Sequence, residues 1–261
     1  FAGSGVPMNP PVEFGVVFSS EDGFARMPEP YPKGLAFLAV PGGAFDSAEL
    51  RMKLHRIASG KVAIVPRELV AYEIAALLPE QNTALRIEFA RFFRARCKRA
   101  LELRCSEVGL RFDWERMFRE PAYRDALVLL LRGSFGILDE YRLKLRLGVR
   151  LPGNADSYVR LLRDLLYPGI SLSLECTPGA PDREALHRLR FYSDFFALHP
   201  EPETGSGWSA DDIRTLVEAA GGLAARPRRI GIVTDDIQSA AALAAGYNRP
   251  AAAETAQIEG E

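Results

Sequence analysis

Two stretches of the chain alternate between apolar and polar residues with a period of two. In YRLKLRLGVRLP, Leu143, Leu145, Leu147 and Val149 alternate with Lys144, Arg146, Gly148 and Arg150. In ISLSLECTP, Ile170, Leu172 and Leu174 alternate with Ser171, Ser173 and Glu175. That period predicts strands with two unlike faces. The intervening NADSYVRLLRDLLYPG is helical in pattern, and strand–helix–strand implies parallel pairing. A parallel sheet buried between helices would be apolar on both faces. Here one face carries cations, hydroxyls and a carboxylate, which fits the interior of a barrel opening into a pocket.

Six further strand-like runs follow the same logic: Glu13–Ser19, Gly34–Val40, Lys61–Pro66, Ser106–Asp113, Phe191–His199 and Arg229–Thr234. Within them, Phe14, Val16 and Phe18 oppose Gly15, Val17 and Ser19. Val108, Leu110 and Phe112 oppose Gly109, Arg111 and Asp113. Ser193, Phe195, Ala197 and His199 share one face, with Asp194 on the other. Helical patterns occupy Ala48–Ser59, behind Asp46 and Ser47 as caps, and Arg67–Leu103, with a break near Pro79–Asn82. They recur through Trp114–Glu140, Asp182–Leu189, a segment capped by Ser209, and Ile237–Ala245. Ser20–Lys33 is rich in Pro and Gly and reads as a loop. Eight strands, most followed by a helix, predict a (β/α)8 TIM barrel over residues 12–245, irregular between its first two strands. Residues 1–11 read as a flexible lead-in and 246–261 as a loose tail.

Composition narrows the function. The 261 residues are 48% hydrophobic and 26% charged, with a net charge of −1. This gives no electrostatic case for nucleic acid or an anionic membrane, and no run of 18 apolar residues is present to span a bilayer. The three cysteines, Cys97, Cys105 and Cys176, lack CxxC spacing. That argues against a disulfide scaffold or a cysteine zinc site and favours a reducing, cytoplasmic setting. The composition leaves oligomeric state open.

Barrel active sites stand at the C-terminal ends of strands. The rule selects Ser19, Glu21, Arg67, Glu68, Arg111, Asp113, Arg150, Glu175, His199, Glu201, Asp235 and Asp236. Arg67, Arg111 and Arg150 could grip an oxygen-rich ligand through their forked donors. Glu175 and His199 are the candidate acid–base residues. Glu175, Asp113, His199 and Asp235 are the candidate ligands for a divalent ion (Mn, Zn or Mg), with a metal-free cleft as the alternative. Of the three histidines, only His199 ends a strand, while His55 and His187 fall in helices. Lys144 and Arg146 lie deeper and need carboxylate partners, for which Asp113 and Glu175 are candidates. Gly205–Gly207 offers backbone donors for phosphate, but Asp211 and Asp212 in the following helical turn oppose it.

The segments GVVFS, EVGLRFD, LKLRLGVRLP, SLSLECTP and RIGIVTDD together resemble the xylose-isomerase-like, or sugar-phosphate isomerase/epimerase, TIM-barrel superfamily, over roughly residues 12–245. The resemblance implies a divalent metal held by two glutamates, an aspartate and a histidine. It implies isomerisation or epimerisation of a small polyhydroxylated substrate, or cleavage of phosphodiesters at abasic sites. Glu175 matches the first metal glutamate. The chain departs from the pattern at PGAPDREALH, where Asp182 and His187 have a different spacing, and at Thr234-Asp235-Asp236, where a glutamate is expected. These departures leave open a barrel that binds a carbohydrate-like ligand or a protein partner without catalysis.

Overall fold

The computed structural model of the chain describes residues 12–68, 83–110, 114–150, 155–179, 181–205, 207–221 and 229–249. Eight parallel strands form one sheet: β1 (Glu13–Val17), β2 (Phe37–Pro41), β3 (Ala63–Glu68), β4 (Glu107–Leu110), β5 (Lys144–Arg150), β6 (Ile170–Cys176), β7 (Ser193–Leu198) and β8 (Arg229–Val233). Their spatial order is β3-β2-β1-β8-β7-β6-β5-β4. The end strands β3 and β4 lie side by side and bring the barrel nearly to closure, with no hydrogen-bonded ladder between them among the described residues. Helices wrap the outside: α1 (Glu21–Arg26), α2 (Ala48–Ser59), α3 (Thr83–Glu102), α4 (Trp114–Arg119), α5 (Pro121–Tyr141), α6 (Ala155–Leu165), α7 (Arg183–Leu189), α8 (Ala210–Ala219) and α9 (Ile237–Asn248). This is the (β/α)8 barrel expected from the strand pattern, irregular at its closure.

The period-two reading holds along most strands. Leu145, Leu147, Val149, Leu172 and Leu174 all point outward into the helical layer and are buried there. Inside, the barrel divides in two. Val17, Phe37, Ala39, Val65, Phe195, Ala197 and Val233, from β1, β2, β3, β7 and β8, form a separate apolar plug. Two glycines make room for its rings. A Cβ at Gly15 would stand 2.5 Å from the Phe37 ring, and one at Gly231 would stand 2.9 Å from the Phe195 ring. The other half, on β4–β6, is polar.

Of the two cations expected to lie deep, Lys144 is exposed at the start of β5, and Arg146 is buried with partners other than those expected. Arg146 donates to both carboxylate oxygens of Glu107, at 3.0 and 2.5 Å, and to Asp194 at 2.7 Å. Its guanidinium also covers the Phe195 ring at 4.9 Å. Arg229 joins the lattice through Glu13 at 3.2 Å and Glu107 at 3.4 Å. Glu175 is not among these partners, because it stands at the other end of its strand, and Asp113 lies outside the described residues. Asp194 reaches Arg146 because the β6–β7 register shifts at Leu172/Ser173. Ser193 and Phe195 pair with consecutive residues of β6, leaving Asp194 as the extra one. A strict period of two would have turned it outward.

The second departure is α1, in the stretch that reads as a loop. Ser20 caps it by accepting from the Gly23 amide. At its other end the buried Lys53 of α2 donates to the carbonyls of Phe24, Ala25 and Met27 at 2.8, 2.8 and 2.6 Å. A short helix with poor propensity is thus held by caps from outside itself. α9 runs three residues past the expected end, to Asn248. The expected break at Pro79–Asn82 and the lead-in at 1–11 lie outside the described residues.

Candidate functional site

Four adjacent strands deliver polar side chains to one mouth. Arg150 closes β5 and pairs in register with Glu175 of β6. The His199 amide, just past β7, donates to Cys176 O at 2.8 Å, which extends the ladder by one residue. Thr234, just past β8, donates to Val17 O at 3.2 Å and sets Asp235 beside the end of β1. Ser19, Arg150, Glu175, His199, Trp208 and Asp235 are among the residues lining a cleft of about 830 Å³, within the range of roughly 300–1,000 Å³ usual for small-molecule sites.

Glu175 and His199 stand together in this cleft. Their Oε2 and Nε2 atoms lie 3.8 Å apart, with side chains 12% and 23% exposed. That separation is beyond a hydrogen bond but within reach of one shared ligand group. Gly148 of β5 leaves space for the carboxylate, since a Cβ there would stand 3.1 Å from Glu175 Oε1. The neighbouring groups respond to burial and to the Glu175 charge. Burial first, and that charge second, push the Cys176 thiol up to about 12 and the Tyr158 phenol up to about 12. Cys176 is therefore an inert thiol at neutral pH.

Trp208 is the lining residue that strand-end reasoning misses, because it arrives from a loop. Its indole N–H donates to His199 O at 2.8 Å, which ties the loop to the end of β7. The loop is fixed on its other side by a capping box between Ser209 and Asp212, as the sequence predicts for α8. The lone aromatic in GSGWS was the available signal. The capping box uses the backbone donors there, since the Ser209 amide donates to Asp212 Oδ2 and the Asp212 amide to Ser209 Oγ.

The other candidates disperse. Asp235 lines the cleft but packs its carboxylate against α1, where a Cβ on Gly23 would stand 2.1 Å from it. Asp236 caps α9, and hydrogen bonds from Ser239 and Gln238 hold it below the usual carboxylate range. Asp182 caps α7, accepting from Ala185 at 2.9 Å, and His187 lies on the exterior against Arg190. Glu201 accepts from the Thr204 hydroxyl. Glu21 packs against Gly43, where a Cβ would collide with its carboxylate. Arg111 and Asp113 lie outside the described residues, as do the side chains of Arg67 and Glu68. A divalent ion needs at least three converging donors. Among the described residues no group of three His, Cys, Asp or Glu side chains could hold one, so the described donors do not fit the metal centre that the resemblance implies. No helix among the described residues is long and apolar enough to cross a membrane.

No protein-family model matches the chain, and no curated protein matches it. Solved structures do. An AP endonuclease, family 2, from Brucella melitensis superposes with a TM-score of 0.64 at 12% identity, covering 92% of this chain and 100% of that one. A D-tagatose 3-epimerase-like protein gives 0.61 at 16% identity, covering 88% and 93%. A xylose isomerase domain protein from Planctomyces limnophilus gives 0.59 at 15% identity, covering 92% and 98%. These names span different activities, so at such identities the likeness establishes a shared barrel fold, and the reaction must be argued from the cleft.

Proposed function

We propose that the cleft binds a small, polyhydroxylated, sugar-like molecule and that Glu175 and His199 carry out isomerase- or epimerase-type proton transfer on it. The observation that carries this reading is the convergence of Arg150, Glu175 and His199, from three adjacent strands, on one cleft of ligand size. Glu175 would take the proton from the carbon beside the substrate carbonyl, while His199 gives a proton to the carbonyl oxygen. Glu175 then gives the proton to the neighbouring carbon while His199 takes back a hydroxyl proton, which isomerises the sugar, and protonation from solvent on the opposite face would epimerise it. Trp208 would supply an apolar wall against the ring face, and Arg150 would orient the ligand oxygens. The three buried free cysteines support a reducing, cytoplasmic setting.

The test is solvent exchange. The full chain is incubated with a panel of pentoses and hexoses in D2O, and loss of the C–H signal beside the carbonyl is followed by NMR. The expected result is label in at least one sugar, with Glu175→Gln and His199→Asn each slowing it by about 100-fold or more, the range of acid–base contributions. An undiminished rate in E175Q would sink the assignment of the base. A second reading, a barrel that binds without catalysis, is favoured by the lack of a three-donor group among the described residues. It predicts saturable sugar binding with no label entering.

A further inference from the structure

We propose that Arg150 anchors a carboxylate on the ligand, so that the molecule taken by this cleft is an acidic sugar of the uronate or aldonate kind. The inference rests on the proposed sugar site and names its substrate class. Arg150 is exposed at the end of β5 and lines the cleft. Among the described residues no carboxylate is ion-paired with it. Two other barrel arginines, Arg146 and Arg229, spend their charge in the lattice at the opposite end. The two carboxylates that share the cleft each face something else: Glu175 stands against His199 and Asp235 against α1.

An arginine stays charged throughout the physiological range, and its planar fork matches the two oxygens of a carboxylate. Arg150 is the only Lys or Arg among the described residues lining the cleft. Among the described lining residues Arg150 supplies one positive charge beside the carboxylates of Glu175 and Asp235, which disfavours a doubly charged phosphate more than a singly charged carboxylate. The register fixes the direction of binding. Arg150 and Glu175 are ladder neighbours, and their strands run about 5 Å apart. With its acid end on Arg150, the ligand lays its next carbons over Glu175 and His199.

The experiment is calorimetric titration of the full chain with matched hexose and hexuronate pairs in the gluco, galacto and manno series, plus the corresponding hexose 6-phosphates. Each pair differs by a carboxylate in place of a hydroxymethyl group. At least one uronate is expected to bind at least 10-fold more tightly than its neutral partner, with the ratio falling to about one in Arg150→Gln. Arg150→Lys, which keeps the charge and loses the fork, should recover only part of the ratio. Equal binding within every pair, a ratio that survives R150Q, or tighter binding of the 6-phosphates would overturn the inference. Sugar labelling or binding without any acid preference removes this inference alone. Binding of no sugar at all removes the proposed function with it.

Discussion

Replacing Glu107 with Gln probes the polar half of the barrel most sharply. The carboxylate takes two hydrogen bonds from Arg146 and lies 3.4 Å from Arg229, and the Glu107 and Arg146 side chains are each 6% exposed. The amide keeps the shape and loses the charge. Two guanidinium groups are then left to Asp194 and Glu13, which are 45% and 58% exposed. Stripping one member from a buried ion pair costs about 3–5 kcal/mol, and the surviving Asp194 contact sets the expectation near the lower end, about 3 kcal/mol. At roughly 2–4 °C per kcal/mol for a domain of this size, the melting temperature should fall by about 6–12 °C. Circular dichroism melts and urea midpoints would measure it. The paired change Glu107→Leu with Arg146→Met removes both charges and should recover most of the loss, because an apolar replacement no longer buries an unmatched ion. A melting temperature for E107Q within about 1 °C of the parent chain would refute the reasoning, as it implies less than about 1 kcal/mol in the lattice. A double variant as unstable as the single one would refute it as well.

Three further outcomes follow from individual contacts. Lys53→Met strips the carbonyls of Phe24, Ala25 and Met27 of their donor; a loss of about 2–4 kcal/mol in urea unfolding is expected, and a loss below 1 kcal/mol would mean water replaces the ammonium. Burial would raise Asp194, but the charge and hydrogen bond of Arg146, with Arg229 behind it, outweigh burial and hold the carboxyl below its ordinary value. Its contribution is then fully present above the ordinary carboxylate pKa of about 4 and is lost as pH falls through the lower folded value, so Asp194→Asn should flatten the stability profile below about pH 4; identical acid limbs would contradict this. Burial pushes the thiols of Cys97, Cys105 and Cys176 each up to about 12. A chromogenic disulfide reagent at pH 8 should therefore titrate no thiol rapidly in the native chain and all three after unfolding; rapid native labelling of Cys176 would show the packing between β6 and the helical layer to be open.

The parts of this structure that sequence reasoning reached are those with a repeating physical signal. Outward leucines on β5 and β6 alternate with inward polar residues over seven-residue strands, long enough to define both faces. Arg150, Glu175 and His199 were reached by position, since strand ends converge wherever parallel strands close on themselves. What escaped has no period. Asp194 depends on a bulge that one sequence does not announce. Glu107 opens its strand, so its alignment with Arg146 depends on the β4–β5 register. α1 is held by Lys53, a residue 26 to 29 positions away, and local propensity cannot register so distant a cap. Trp208 enters the cleft through a loop whose course is set by its hydrogen bond to His199.

The central claim is that Arg150, Glu175 and His199 serve one ligand site at the mouth of the barrel. The most direct measurement is an NMR titration of the isotopically labelled full chain with the hexuronate that binds best, following the Arg150 Nε–H and His199 ring resonances. The account predicts that both shift saturably with one common Kd and that Glu175→Gln changes that Kd. Shifts confined to residues at the opposite end of the barrel, around Glu13 and Lys144, with Arg150 and His199 unmoved, would contradict it.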